Sequence, residues 1–476
     1  MYEIDGNFII KNGYKMPLYM AEDKKYAYRI KKFDINKDGL FPYQYIGSLY
    51  LLTRKASILG DFMGLGKTAQ ALRSSEYLLN KDKEKFCLIV APKGALVEQW
   101  KKEVPKFTKY DAEIIKDIDD NYEKRYIITN YEKLYKDGFE KILKRKPILI
   151  LDEVSKIKNF FTLYSQALYK YSEPEYMFML SGTVFENSPI DIWSLFKQMK
   201  NNYLEYDYYD FINKYAIIEE RERLDGQTFN TIVGWKNMDE LKSKIEPLIL
   251  RRTFNDVSVQ LPEKSVEDVY IELNKNELAL YHRIERDIKT QKGDEYVLAL
   301  FTFLKRFLDY PPVLEKNELT RKYDVSNIIS SKANMLLEIV ESLKGSKIVI
   351  FSQYSDVVQA LGDLLKTRYL YYGDISNEII DEFNKNKEGI LIMTDKGAYG
   401  LNLQTATVII NYDLPWNPAV IEQRIGRIYR LGQKNKVLVL NLIINEIGLI
   451  ERYISRILKE KQSLGMKLLP KVENRL

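Results

Sequence analysis

The sequence predicts an α/β protein with two parallel-sheet lobes in tandem, and three observations predict it. From about residue 56, short apolar runs alternate with stretches of helical spacing: ASILGD, FCLIVAP, RYIITN, PILILDE and MFMLSG. After residue 346 the same alternation returns in KIVIFSQ, RYLYYG, GILIMTD, TVIINYD and KVLVLNLII. Between the two blocks lie segments, about 200–250 and 275–345, that read mainly as helical. Alternating strands and helices build βαβ units and hence parallel sheets. Strands that are apolar along their whole length suit a sheet covered on both faces.

The resulting division has three parts. Residues 1–39 form a small β-rich extension with turn signals at Asn12-Gly13 and Asp38-Gly39. Residues 40–255 form the first lobe with its insertion, and residues 256–476 form the second. The second lobe ends in a helix at about 446–462, expected to pack back as a brace. A length of 476 residues suits two or three domains.

Composition excludes several classes of function. Hydrophobic residues make up 45% of the chain, enough for sizeable cores, and the net charge of +6 only weakly favours an anionic partner. With one cysteine, Cys87, and one histidine, His282, no disulfide framework or Cys/His zinc site can be built. Cys87 lies in an apolar run and reads as a buried thiol; His282 reads as incidental. No window approaches a membrane span. The expected setting is cytoplasmic, either the nucleoid or the cytoplasm of a phage-infected host.

Three stretches carry chemistry. A strand enters Asp61-Phe62-Met63-Gly64-Leu65-Gly66-Lys67-Thr68, and a helix follows. Glycines let such a loop turn its N–H groups onto an anion, and the helix N-terminus adds its dipole. Lys67 would reach the β- and γ-phosphates of ATP, and the Thr68 hydroxyl would ligate Mg²⁺. The strict pattern has Gly where this chain has Asp61. A second strand ends in Asp152-Glu153. Asp152 would hold Mg²⁺ and Glu153 would orient and deprotonate water. Near the end of the second lobe, Arg427 and Arg430 stand three apart, on one face if helical. Brought across a cleft to Lys67, they would stabilise charge on the transferring phosphoryl group.

With these stretches in view, the chain resembles the Swi/Snf-related (Snf-type) branch of superfamily-two helicases, from about residue 40 to about 460. Leu40-Phe41-Pro42-Tyr43-Gln44 is similar to the motif whose Gln contacts adenine, and Asp61 to Thr68 to that family's own phosphate loop. Further matches are Ala91-Pro92-Lys93 with Gln99-Trp100, Thr129-Asn130-Tyr131-Glu132, Leu180-Ser181-Gly182-Thr183-Val184, and Leu250-Arg251-Arg252-Thr253. In the second lobe they are Ile350-Phe351-Ser352-Gln353-Tyr354, Thr394 through Gly400-Leu401-Asn402, and Asp413-Leu414-Pro415-Trp416-Asn417-Pro418 running into Gln423 to Gln433. The resemblance implies two RecA-like lobes with helical insertions. It also implies nucleotide contacts from Gln44, Asp61, Met63, Gly64, Leu65, Gly66, Gly400, Asn402 and Gln423. The chain departs from the pattern at Val154-Ser155, where Ala-His is usual, and at Val184, where Pro is usual.

The function implied is a DNA-dependent ATPase that tracks double-stranded DNA without sequence specificity, acting as a monomer. Backbone contacts need donors at strand ends, and Lys93, Thr129, Asn130, Ser352, Gln353 and Thr394 are the candidates. A competing reading is an ATP-gated clamp with little turnover. Trp100 reads as core.

Overall fold

A parallel strand covered on both faces must place alternate side chains in two separate cores, and both lobes are built on that rule. The structure is a computed structural model. It describes residues 40–469 except 116–121, 186–187, 201–203, 205–206, 223–226, 258–260, 293–296, 316–322, 374–377, 396–400, 431 and 447, together with 3–5, 8–11 and 14–17. These last form an antiparallel meander of β1 (Glu3–Asp5), β2 (Phe8–Lys11) and β3 (Tyr14–Pro17).

The first lobe contains β4 (Ala56–Leu59), β5 (Cys87–Ala91), β6 (Ala112–Ile114), β7 (Tyr126–Asn130), β8 (Ile148–Asp152) and β9 (Tyr176–Leu180). An antiparallel hairpin of β10 (Ala216–Glu222) and β11 (Thr228–Trp235) follows, then β12 (Ile249–Leu250). The main sheet runs β12-β4-β9-β8-β5-β7-β6, all parallel. Along β8, Leu149 and Leu151 enter one core while Ile148 and Ile150 enter the other. Cys87 is buried in the second of these, where burial pushes its thiol up. Three helices frame the loop described below: α1 (Pro42–Thr53), α2 (Lys67–Lys81) and α3 (Ala95–Phe107).

The hairpin corrects the expectation that residues 200–250 are mainly helical. Helices Tyr208–Tyr215 and Met238–Ile245 are present, but two strands lie between them. Ile217, Ile218, Thr228, Thr231, Ile232 and Val233 are β-branched and favour extended backbone, and Asp225-Gly226 in the sequence between them is a hairpin dipeptide. The expected lobe boundary also moves. The first compact unit takes residues up to Val259 together with the chain beyond Gln462, because Leu468 and Leu469 are buried in the first lobe's core.

The second lobe holds β13 (Lys264–Ile271), β14 (Lys347–Ser352), β15 (Tyr369–Tyr371), β16 (Gly389–Thr394), β17 (Val408–Asn411) and β18 (Val437–Ile444). They are ordered β13-β18-β17-β14-β16-β15 and all parallel. Its helices include α4 (Lys275–Lys292), α5 (Val297–Asp309), α6 (Ser331–Ser342), α7 (Pro418–Ile428) and α8 (Ile450–Leu468). Ile450, Ile454 and Leu458 of α8 lie in this lobe's core.

A buried ion cluster ties three of these helices together. Lys332 at the start of α6 donates to Asp309 Oδ1 at 2.9 Å and to Glu451 Oε1 of α8, and all three side chains are fully buried. Glu451 also accepts from the Ile444 N–H at 2.8 Å, and the Tyr412 hydroxyl donates to the Asp309 carbonyl at 2.5 Å. Burial pushes the Asp309 carboxyl up to about 7, with Lys332 opposing.

Lys332→Met leaves two carboxylates without their cation and should lower stability by about 3–5 kcal/mol, read as a lower urea midpoint. The folded chain holds the Asp309 proton more tightly than the unfolded chain, whose carboxyl titrates near 3.8. That contribution is complete below the unfolded value and is lost as pH rises through about 7. Asp309→Asn should therefore flatten the fall in stability over this window.

Candidate active site

β4 ends at Leu59, and the chain turns through residues 60–66 before α2 begins at Lys67. Gly64 (φ 86°) and Gly66 (φ 74°) take the left-handed conformation that glycine adopts without strain. A Cβ on Gly66 would stand 2.3 Å from Gln44 Nε2, so this glycine also makes room for α1. A loop of this kind ending at a helix N-terminus presents N–H groups to an anion. Lys67 bends over it, donating through Nζ to the Asp61 carbonyl at 2.7 Å and the Phe62 carbonyl at 3.4 Å. Gln44 Nε2 and the Tyr43 hydroxyl both donate to the Leu65 carbonyl, at 3.2 and 3.0 Å. Gln44 Oε1 accepts from the Phe41 N–H, so this buried amide holds the loop from α1.

Asp61 shows why this chain lacks the usual glycine. Its carboxylate is fully buried and gripped bidentately by Arg252, with Nε to Oδ1 at 2.9 Å and Nη2 to Oδ2 at 2.5 Å. Gln70 Nε2 adds a third bond at 3.0 Å, and Arg252 Nη1 reaches the Tyr43 carbonyl. The loop backbone is pinned to the same segment: Gly60 N–H donates to Leu250 O and Phe62 N–H to Arg252 O. The Asp61 side chain thus serves the loop's shape, leaving its backbone in the phosphate loop. Of the expected nucleotide contact at Asp61, only the backbone is left to make it.

The acid pair sits on the same sheet. Leu59 pairs with Leu180, and Leu180 with Asp152, so the loop and the acids leave the carboxyl end of the sheet two strand spacings apart, roughly 10 Å. Gly182, just past the intervening β9, presses on the loop: a Cβ there would stand 2.6 Å from Met63 Cγ and 3.6 Å from Lys67 Nζ. Asp152 is oriented from three sides. Trp100 Nε1 donates to its Oδ2 at 2.7 Å, the Glu153 N–H donates to Oδ1 at 3.0 Å, and the Tyr131 hydroxyl donates to its carbonyl at 2.7 Å. Burial, with Asp152 and Glu153 nearby, pushes the Tyr131 phenol well up, so it stays a donor. Glu153 itself has φ 51°, a left-handed backbone that is strained for a side-chain-bearing residue. Trp100, expected as core, is both core and hydrogen-bond donor to the acid.

In the second lobe the strand ends are organised by Arg424. Its guanidinium, 1% exposed, bonds Asp395 through Nε at 2.6 Å and Nη2 at 2.9 Å, and Asn411 and the Asp413 carbonyl through Nη1. Asp413 accepts from the Ser352 hydroxyl and the Gln353 N–H, each at 2.7 Å. Burial works against this carboxylate, but Lys305 and Arg424 outweigh it and hold Asp413 below the usual range. Lys305, on α5, bonds the Leu414 carbonyl and Gln353 Oε1, and burial pulls its own ammonium down.

The remaining expectations divide. Lys93 is exposed and Asn130 and Gln353 are half-buried, so each can offer a group to a ligand. Thr129, Ser352 and Thr394 are buried, which corrects their assignment to a surface track; Ser352 uses its hydroxyl on Asp413. Thr68, Gln423 and Arg430 are half-buried, whereas Arg427 is buried near the end of α7. Asn402 is exposed and caps its own turn through Gln404 N–H, and Gly400 lies outside the described residues. The pairings of Arg252, Arg424 and Lys305 are not legible in the sequence, because their partners lie 191, 29 and 48 residues away.

A glycine loop at a helix N-terminus, its lysine, and a strand-end acid pair on one parallel sheet define a phosphate-loop α/β lobe. The chain belongs to the SNF2-related domain family, which matches residues 43–319, and the helicase conserved C-terminal domain matches residues 331–432. Among similar proteins, the "Putative ATP-dependent helicase/translocase YwqA" of Bacillus subtilis is 29% identical over 91% of this chain and 49% of its own length. An ATP-dependent helicase of Mycoplasma pneumoniae is 30% identical over 87% of this chain and 40% of its own. The ISWI chromatin-remodeling complex ATPase ISW2 of Saccharomyces cerevisiae is 28% identical over 94% and 42%. The chain thus spans half or less of these relatives. A solved Sulfolobus solfataricus SWI2/SNF2 ATPase core in complex with dsDNA is 28% identical, with TM-score 0.42, covering 89% of this chain and 92% of that one.

Arg252→Met should destabilise the first lobe by about 3–5 kcal/mol in urea melts, because Asp61 is left buried without its cation. Adding Asp61→Asn to that variant should restore part of the loss, a coupling of about 0.5–3 kcal/mol.

Proposed function

We propose that this chain is a DNA-dependent ATPase that uses turnover to move along double-stranded DNA without reading its sequence. The observation that carries the proposal is the placement of Lys67, the left-handed glycines and the Asp152–Glu153 pair on neighbouring strand ends of one sheet. Family membership supports it, as do the relatives' names, which include helicase/translocase and chromatin-remodeling ATPase.

Each residue then has a chemical role. The loop from Asp61 to Gly66 offers backbone N–H groups to the phosphates, and Lys67 exchanges its two loop carbonyls for phosphate oxygens. Thr68 and Asp152 supply hard oxygen donors suited to Mg²⁺, which when bound neutralises phosphate charge. Trp100 and Tyr131 hold Asp152 in one orientation, a positioning role. Glu153 orients water and takes its proton. Arg427 and Arg430 are the cations that the second lobe contributes to the transferring phosphoryl group. Lys93, Asn130 and Gln353 are the accessible members of the backbone track, so binding should weaken steeply with salt.

Turnover measured with and without duplex DNA tests the reading. Lys67→Ala and Glu153→Gln should each lower DNA-stimulated hydrolysis by about 10²–10⁴-fold, with ATP binding retained in the glutamine variant. ATP-driven displacement of a third strand from a triplex should accompany hydrolysis. Tight ATP-dependent DNA binding with no stimulated turnover would instead favour the clamp, for which the departure at Val154-Ser155 leaves room. Trp100→Phe keeps an aromatic side chain but removes the indole N–H and part of its buried volume; it should raise the Mg²⁺ concentration for half-maximal turnover and also lower the urea midpoint, because a cavity is left in the core.

A further inference from the structure

The second lobe carries a cleft of about 800 Å³ lined by β13, α4, α5 and α8, none of whose residues belong to the nucleotide or track assignments above. One wall is α8. Its apolar stripe, Ile450, Ile454 and Leu458, is buried in the core, while Arg452, Arg456 and Lys459 follow one another at intervals of four and three along an exposed face. Among the described residues Arg452 and Lys459 have no ion-pair partner, and Arg456 meets Glu460 only at 3.8 Å with both side chains well exposed.

Aromatic rings stand among these cations on both walls. Tyr453 of α8 is 42% exposed, and Tyr270, on the sheet's edge strand β13, is 55% exposed. Tyr453 is steadied by Phe301, 6.2 Å between ring centroids, and the Arg456 guanidinium lies 5.4 Å over its face. Cations at helical spacing beside partly exposed aromatic rings match the two needs of an unpaired nucleotide strand: phosphates to neutralise and bases to stack. An acidic peptide would need only the cations. A concavity of this size admits splayed bases, whereas a base pair keeps its faces stacked within the duplex.

We propose that this cleft binds single-stranded nucleic acid, with phosphates on Arg452, Arg456 and Lys459 and bases on Tyr453 and Tyr270. The site shares no residue with the proposed duplex track and does not depend on ATP.

The test uses the full chain and a fluorescein-labelled ten-nucleotide oligo(dT), followed by anisotropy without ATP. Combined Arg452→Ser, Arg456→Ser and Lys459→Ser should reduce the slope of log affinity against log salt by about 2, as three single-strand phosphate contacts require. Tyr453→Leu should weaken binding roughly 5- to 150-fold, the range for losing one stacked base, with the slope unchanged. Both variants should keep the wild-type melting temperature and basal ATP turnover. Failure to bind oligo(dT) below about 100 µM would overturn the proposal. So would wild-type affinity in both variants, equal competition by polyglutamate, or displacement by dTMP as effective as by the unlabelled strand.

Discussion

A carboxylate cut off from water must be met by a positive charge, and the phosphate loop of this protein is shaped around that demand. Asp61 stands at the loop's first turn with no solvent contact, and Arg252 is the cation that reaches it. Because Arg252 follows β12, the pair fixes the loop against the strand beside β4. Gln70 of α2 and the Tyr43 carbonyl of α1 join the same guanidinium network. Loop, two helices and edge strand therefore share one electrostatic anchor, and the glycines can keep open positions for a phosphate.

The second lobe solves the same problem with more charges. Arg424 neutralises Asp395 and Asp413 at the strand ends, and Lys305 approaches from the insertion. Lys332, Asp309 and Glu451 continue the buried polar structure through α5, α6 and α8. Such clusters add less net stability than their short distances suggest, because each charge first loses its hydration. What they give is fixed geometry: the backbone at Ser352 and Gln353 has one arrangement that satisfies Asp413. The helical insertion is thereby part of the lobe's site architecture.

Around the acid pair, positioning is done by residues that would touch no substrate. Trp100 sits in an apolar core yet aims its N–H at Asp152, and Tyr131 holds the adjoining backbone. Trp100 fixes the Asp152 carboxylate and Tyr131 the backbone that carries it, and neither aromatic donor adds charge.

Much of this was legible in the amino-acid string. The apolar runs at β5, β8, β14 and β16 announce strands, and Gly64, Gly66 and Lys67 announce a phosphate loop, because local conformation and the chemistry of an anion nest need only neighbouring residues. The hairpin at β10 and β11 was misread, since its exposed β-branched residues lack the steady alternation of a half-buried strand. Track assignments failed at Thr129 and Ser352 for another reason: a hydroxyl at a strand end looks available in sequence whether or not a neighbour covers it. By itself, then, the sequence determined the strand–loop–helix units and the family. Only the tertiary structure decided that Asp61 belongs to Arg252, Trp100 to Asp152 and Arg424 to Asp395, because pairing across 191, 52 and 29 residues follows from how the sheets bring distant segments together.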